Sequence, residues 1–218
     1  VKFLCLPVWQ DGKGEETWIP EIRAFGEDKN TNVILFAMAE GMLSDLALPM
    51  LFKIWNEEMP VLVYGDEDVL TEHGREKPWF KPDWSPDTFL SYFYMGSLVA
   101  LPARAVCECL DQNKQLVEGL SAKEALVRKN AVYGLCYQVI NRGISQEIGL
   151  TGKGCVRHID EVLYHTAEEG YGAVKEMRLP ADCTFEYERR DSRQPEEGKD
   201  HLVSVIIPSK DNPEVLFH

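Results

Sequence analysis

Asp66, Glu67 and Asp68 form an unbroken acidic triplet directly after the apolar run VLVY at 61–64. Carboxylates grouped in this way can ligate a hard divalent cation or take a proton from a hydroxyl. They can equally be a solvated acidic turn whose backbone is what matters. A turn at His73-Gly74 follows, and then Lys81, Asp83 and Asp87 alternate with Trp79, Phe80, Trp84 and the prolines 78, 82 and 86. Flat aromatic faces suit the C–H edges of a sugar ring, and they serve as well to anchor a loop on a core. Each proline fixes its own φ and pushes the preceding residue toward extended backbone, so this stretch is not a helix interior. It reads as a strand ending in carboxylates, then a stiffened loop with Trp84 largely buried. Glu40 follows the apolar run NVILFAMA, and His165 ends VRHIDEVLYH. His165 reads either as a metal ligand or phosphate contact, or as a strand-end histidine in a polar loop.

The elements that must position these groups follow from the hydrophobic pattern. Short apolar runs at 1–8, 32–39, 61–64 and 156–165 read as buried strands, and 97–102 as a short strand or turn. Residues 9–31, with Gly12 and Gly14, read as loop. Ser44 is a plausible N-cap for a helix with Leu46, Leu48, Leu51, Phe52 and Trp55 on its apolar face, stopped by Pro60. Helices are also expected over 103–111, over 122–129 behind a Ser121/Glu124 capping box, and over 131–142. Gly170 and Gly172 mark loop. Strands alternating with helices make an α/β protein, in which ligands lie outside the carboxyl ends of the strands. The acidic triplet is therefore expected at the carboxyl edge of the sheet.

Composition narrows the function classes. The 218 residues carry 23 basic and 36 acidic side chains, a net charge of −13, which disfavours a nucleic-acid partner. A divalent cation between carboxylates and a diphosphate would still let an acidic protein bind a nucleotide. The six cysteines show no C-x-x-C pair and read as reduced thiols of a cytosolic protein. No apolar run approaches the roughly 20 residues that span a bilayer.

The span from Tyr64 to Gly96 also carries a resemblance. Its Tyr64–Asp68, Gly74-Arg75, Pro78–Asp87, Leu90-Ser91 and Tyr94–Gly96 resemble the segment after the metal site in family-2 glycosyltransferases of the GT-A fold. The likeness is to the rhamnosyltransferase-like branch that builds bacterial surface polysaccharides. It implies a mixed sheet flanked by helices that transfers a sugar from a nucleoside diphosphate, with Mn²⁺ or Mg²⁺ on the leaving group and a carboxylate base. It further implies donor or acceptor contacts at Asp66, Glu67, Asp68, Lys81, Asp83, Trp84 and Asp87, and metal contacts at Glu40 and His165. His158 and His165 match the family's histidines. The expected partners are a nucleotide-sugar donor and a glycan acceptor, in the cytoplasm or at the membrane through a parent protein.

The sequence departs from the family where chemistry is expected. The metal motif falls on Met38, Ala39, Glu40 and Gly41, which leaves one carboxylate, and the base motif falls on Cys136, Tyr137, Gln138 and Arg142. Only 37 residues precede Met38, so the N-terminal half is expected to be absent or shortened. The resulting organisation is a partial or degenerate GT-A-like domain over 1–180, a linker over 181–201, and the first strand of a second glycosyltransferase domain over 202–218. The expected function is that of a glycosyltransferase-like module, weakly active or inactive in itself, with no catalytic residue assigned. The alternative is an active, metal-dependent inverting enzyme using Glu40 and Asp66/Asp68.

Overall fold

Strand β2 (Asn32–Ala37) is buried on both faces, because every one of its residues is apolar or hydrogen-bonded. Val33, Leu35 and Ala37 point to one side and Ile34 and Phe36 to the other, the alternation a pleated strand imposes. The computed structural model describes residues 1–10, 15–27, 32–143, 156–167, 170–181 and 183–185. Around β2 lie β1 (Lys2–Pro7), β3 (Gly41–Leu43), β4 (Leu62–Thr71), β5 (Gly74–Trp79), β6 (Leu98–Pro102) and β7 (Val156–Thr166). The sheet order is β1-β2-β6-β4-β7-β3, and β5 pairs with β4 as a hairpin. β1 pairs parallel with β2, and β4 parallel with β7, while β6 runs antiparallel to both β2 and β4. The carboxyl ends of β1, β2, β4 and β7 therefore face the same way. This mixed sheet flanked by helices is compatible with the expected GT-A-like architecture.

One face of the sheet is covered by α2 (Ala47–Glu57), which buries Ala47, Leu51 and Trp55 against Val33, Leu35, Val63 and Ala100. Burying a large apolar side chain of this kind contributes roughly 1.5–3 kcal/mol. The apolar stripe is narrower than the sequence suggests: Leu46, Leu48 and Phe52 are exposed. Nor does Ser44 cap the helix. The N-cap position is Leu46, and the Ser44 hydroxyl is buried without a partner.

The other face carries α1 (Glu15–Gly26), α4 (Ala103–Gln112), α5 (Lys114–Leu120) and α6 (Ala125–Gly143). The loop expected over 9–31 thus contains a helix at 15–26. Trp18 and Ile22, four residues apart, supply its buried stripe despite Pro20 inside it. The two helical pieces expected on either side of residue 130 are one helix, α6, buried almost all round. Ser121 closes α5 rather than opening α6; the cap that acts in this region is Asn113, whose Oδ1 accepts from the backbone N–H of Gln115 and Leu116. Two shorter helices complete the set, α3 (Pro86–Ser91), which starts on its proline, and α7 (Gly170–Val174). The first, like β5, corrects the reading of the stretch after the acidic triplet as loop, and the second corrects the loop expected at Gly170 and Gly172.

Arg128 ties the two ends of this layer together. Its side chain is fully buried, and its guanidinium donates to the carbonyls of Val8, Gln10, Ala122 and Lys123 and lies 5.7 Å from the Trp18 ring centroid. Backbone carbonyls satisfy the cation that burial would otherwise penalise. Val1–Phe185 forms one compact unit. The expected strand at 202–218 and most of the expected linker lie outside the described residues. Among the described residues no helix is long and apolar enough to cross a membrane, and five cysteines are free thiols.

Candidate functional site

The acidic triplet is neither a strand end nor a solvated turn. β4 runs through it to Thr71, and Asp66, Glu67 and Asp68 are 3%, 1% and 4% exposed. Pairing with β6 stops at Tyr64↔Val99, so the triplet does lie on the carboxyl side of the central strands, but β5 and β7 enclose it there. The register shifts next to Asp66 and Glu67 mark an irregular ladder, which turns successive side chains toward different partners.

Each carboxylate is answered from within the protein. Glu67 accepts from the Ser97 N–H at 2.6 Å, the Ser97 hydroxyl at 3.2 Å and Lys81 Nζ at 3.1 Å. Lys81 Nζ also donates to the Gly65 carbonyl at 2.6 Å and lies 5.0 Å from the Trp79 ring centroid. Burial pushes the Lys81 ammonium pKa down, and the nearby carboxylates of Glu67 and Asp66 only partly reverse this. Gly96 (φ +84°) closes over the pair, because a Cβ there would run into Lys81 and Glu67. Asp66 accepts from the Lys81 N–H and from His158 Nε2, both at 2.9 Å. His158 Nδ1 lies 3.2 Å from Asp83, and both contacts are hydrogen bonds only when both ring nitrogens carry protons. Asp68 binds Arg75 Nε at 2.6 Å and His165 Nδ1 at 2.5 Å. Burial works to raise the Asp68 pKa, but the hydrogen bonds and charges of His165 and Arg75 outweigh it and hold the carboxyl below its usual range.

This network fixes the loop from Trp79 to Ser85. Tyr64 stacks on His158 at 4.9 Å and donates to the Pro82 carbonyl at 2.7 Å, while Tyr94 accepts from the Ser85 N–H at 2.8 Å. Trp84 is largely covered, as expected, edge-on to Phe89 and Phe185 with its indole Nε1 buried. Phe80 is 69% exposed, and the side chains of Asp83 and Asp87 face solvent. Lys81, Asp83, His158 and the triplet are therefore brought together, while Asp87 sits in the first turn of α3.

Glu40 belongs to a different place. Beyond the carboxyl ends of β1, β2 and β7 lies a cleft of about 460 Å³, lined by Trp9, Met38, Ala39, Glu40, Lys129 and Ala173 among others. Glu40 is exposed there; its carbonyl accepts from Ala167 N–H, and Lys129 Nζ donates to the Ala173 carbonyl at 3.1 Å. Among the described residues the donor set does not fit a divalent cation. Glu40 brings one carboxylate, His165 is spent on Asp68, and no group of three His, Cys, Asp or Glu side chains able to hold a metal occurs among the described residues. Gly41 leaves no room for a third acidic side chain, since a Cβ there would meet the His165 carbonyl and the Tyr164 ring. Cys136, at the expected base position, is fully buried, and burial pushes its thiol pKa far up. Tyr137 and Gln138 sit on the same helix, away from the cleft, and Arg142 pairs with Glu108 at 2.9 Å. Trp9 and Lys129 escaped the sequence reading. Trp9 follows an apolar run that ends at the ligand-bearing side of such sheets, which was signal enough; nothing in the sequence flagged Lys129.

No protein-family model matches the chain. In an alignment of 193 positions that covers 83% of its length, the chain is 28% identical to the O-antigen biosynthesis protein RfbC of Myxococcus xanthus. It spans 14% of that protein's length.

Proposed function

We propose that this chain is a glycosyltransferase-like module of a larger polysaccharide-building protein, one that keeps the scaffold and the cleft of a nucleotide-sugar transferase without performing metal-assisted transfer by itself. Three lines support the reading: the Tyr64–Gly96 resemblance to the rhamnosyltransferase-like branch of family 2, the mixed sheet, and the likeness to a protein named for O-antigen biosynthesis. The observation that carries it is the contrast in carboxylates. The cleft holds Glu40 beside Met38, Ala39 and Gly41, whereas Asp66, Glu67 and Asp68 are buried in ion pairs and hydrogen bonds. A leaving diphosphate needs cationic or Lewis-acid neutralisation as its charge develops, and the one exposed carboxylate that the described residues bring to the cleft does not build a cation site.

On this reading the cleft receives a nucleotide or glycan group, with the Trp9 ring and the Lys129 ammonium as its contacts. The catalytic work belongs to a second glycosyltransferase domain in cis, whose first strand starts in 202–218 after a linker over 181–201. The parent acts on a nucleotide-sugar donor and a glycan acceptor at the cytoplasmic side of the cell envelope. Calorimetric titration of UDP and of dTDP into the chain, with and without Mn²⁺, tests the proposal. The expected result is no metal-dependent heat. Nucleotide binding that requires Mn²⁺ would replace it with an active inverting transferase built on Glu40 and Asp66/Asp68.

A further inference from the structure

A second cavity opens on the helical side of the molecule, between α5, α6 and residues 178–180 and 183. It measures about 290 Å³, at the small end of the roughly 300–1,000 Å³ range of ligand pockets. Helix α6 divides it from the cleft: Lys129 lines the cleft, whereas the next residue, Asn130, lines this cavity, together with Gly134, Tyr137 and Gln138 one and two turns further on.

Its chemistry is unusual for this chain. In a protein with 36 acidic residues, the described residues around the cavity include no Asp or Glu, and no Lys or His. Four carboxamides line it instead, those of Asn113, Gln115, Asn130 and Gln138. The oxygens of two of them are already anchored. Asn113 Oδ1 accepts from the N–H groups of Gln115 and Leu116 at 3.0 and 3.3 Å, and Asn130 Oδ1 accepts from the Arg178 N–H at 2.9 Å. That leaves two oriented NH₂ groups without a protein acceptor among the described residues. The side-chain amides of Gln115 and Gln138 have no partner there either, and each offers both a donor and an acceptor. The one charged group, Arg178, spends Nη1 on the carbonyls of Lys175 and Met177, both at 2.7 Å. The Tyr137 hydroxyl is likewise used within the protein: it donates to the Thr184 carbonyl at 2.7 Å and accepts from the Thr184 N–H at 3.2 Å. The Tyr137 ring, Leu116 and Pro180 remain as apolar walls.

Fixed amide donors, adaptable amides and an aromatic wall, with Arg178 the one charge among the described lining residues, match a ligand whose hydroxyls donate and accept and whose C–H face is apolar. We infer that this cavity is a binding site for a neutral sugar residue, separate from the cleft. It holds one unit of a glycan chain on the far side of α6 while the cleft remains open.

Saturation-transfer NMR on the intact chain tests this, with the methyl glycosides of glucose, galactose, mannose and N-acetylglucosamine as probes and inorganic phosphate as the charged competitor. Transfer to at least one glycoside is expected, with no displacement by phosphate. Gln138→Ala and Gln115→Ala should each weaken it about fivefold, the value of one lost hydrogen bond, with the thermal midpoint unchanged because neither side chain holds the fold. Absence of transfer from every probe overturns the inference. So does transfer that both variants retain, or displacement by phosphate, which would make Arg178 the centre of an anion site. Nucleotide titration reads the cleft independently, so failure here and failure of the module reading are told apart.

Discussion

The end of β2 and the middle of β4 lie on the same side of one sheet, yet they treat carboxylates in opposite ways. At Met38–Gly41 the backbone opens into a cleft, and the single acid, Glu40, is exposed. At Asp66–Asp68 three acids are buried, each bound to at least one basic side chain: His158, Lys81, and the pair Arg75 and His165. Among the described residues, carboxylates are plentiful where they hold a loop in place and sparse at the cleft. On the module reading proposed above, the first group has no chemistry to perform and the second has a fold to hold.

The comparison breaks first if the Lys81–Glu67 pair is dispensable. Both side chains are 2% exposed or less, so Lys81→Met leaves Glu67 buried with only the two Ser97 donors. Removing one partner of a buried pair costs about 3–5 kcal/mol. Urea denaturation should show a loss of that size, and a loss below about 1 kcal/mol would mean the pair is incidental to the fold. Gly96→Ala should destabilise by the same route, because its Cβ would enter the space of the pair at a positive φ.

The next largest effect belongs to His158. His158→Leu keeps an apolar body against Tyr64 but removes the Asp66 and Asp83 contacts, and a buried acceptor left short of a donor costs about 1–3 kcal/mol. Asp83 is exposed and recovers water, so the expected loss comes from Asp66. Hydrogen exchange should show Lys81 N–H, which shares Asp66, becoming less protected in this variant. Unchanged protection would detach the loop from the network.

How much of this the residues announced depends on which force placed them. Strands β1, β2, β4, β6 and β7 were legible because short apolar runs bounded by Pro, Gly and charge have few other uses. Helix α1 was hidden: Gly12, Gly14 and Pro20 speak for loop, and only its packing on α4 reveals that Trp18 and Ile22 form a stripe. Helix α6 looked like two helices because Ser121 and Glu124 mimic a capping box, whereas α5, missed in the sequence, ends there. The proximity of Lys81, Asp83 and Asp66 was implied by the loop, but the burial of the triplet was not. His158 lies 92 residues from Asp66, and local sequence contains no trace of such a pairing. The amide-lined cavity was invisible for the same reason, since its residues come from three separate segments.

Asp68 sharpens the comparison through pH. Its carboxyl is held below the ordinary range in the folded chain, so it binds fewer protons folded than unfolded as the medium is acidified. The stabilisation it provides is complete above the unfolded value of about 3.9 and is lost as pH falls through the lower folded value. Denaturation midpoints of the parent chain and Asp68→Asn should therefore differ at pH 6 and converge toward acid. A constant gap from pH 6 to pH 3 would mean that Arg75 and His165 do not act on the ionised form.

Glu40→Gln carries the smallest expected effect and the clearest contrast. Its side chain is exposed, it makes no ion pair among the described residues, and the backbone bond from Ala167 to its carbonyl is indifferent to the substitution. Stability should stay within about 0.5 kcal/mol of the parent, as for surface changes away from special features. Mn²⁺ titration should read the same for both proteins. If the parent binds Mn²⁺ and Glu40→Gln does not, the cleft has kept a working ligand set, and the division between structural and chemical carboxylates fails at its weaker end. If stability falls by more than about 1 kcal/mol, Glu40 is doing the same structural work as the triplet, and the two regions differ in degree rather than in kind.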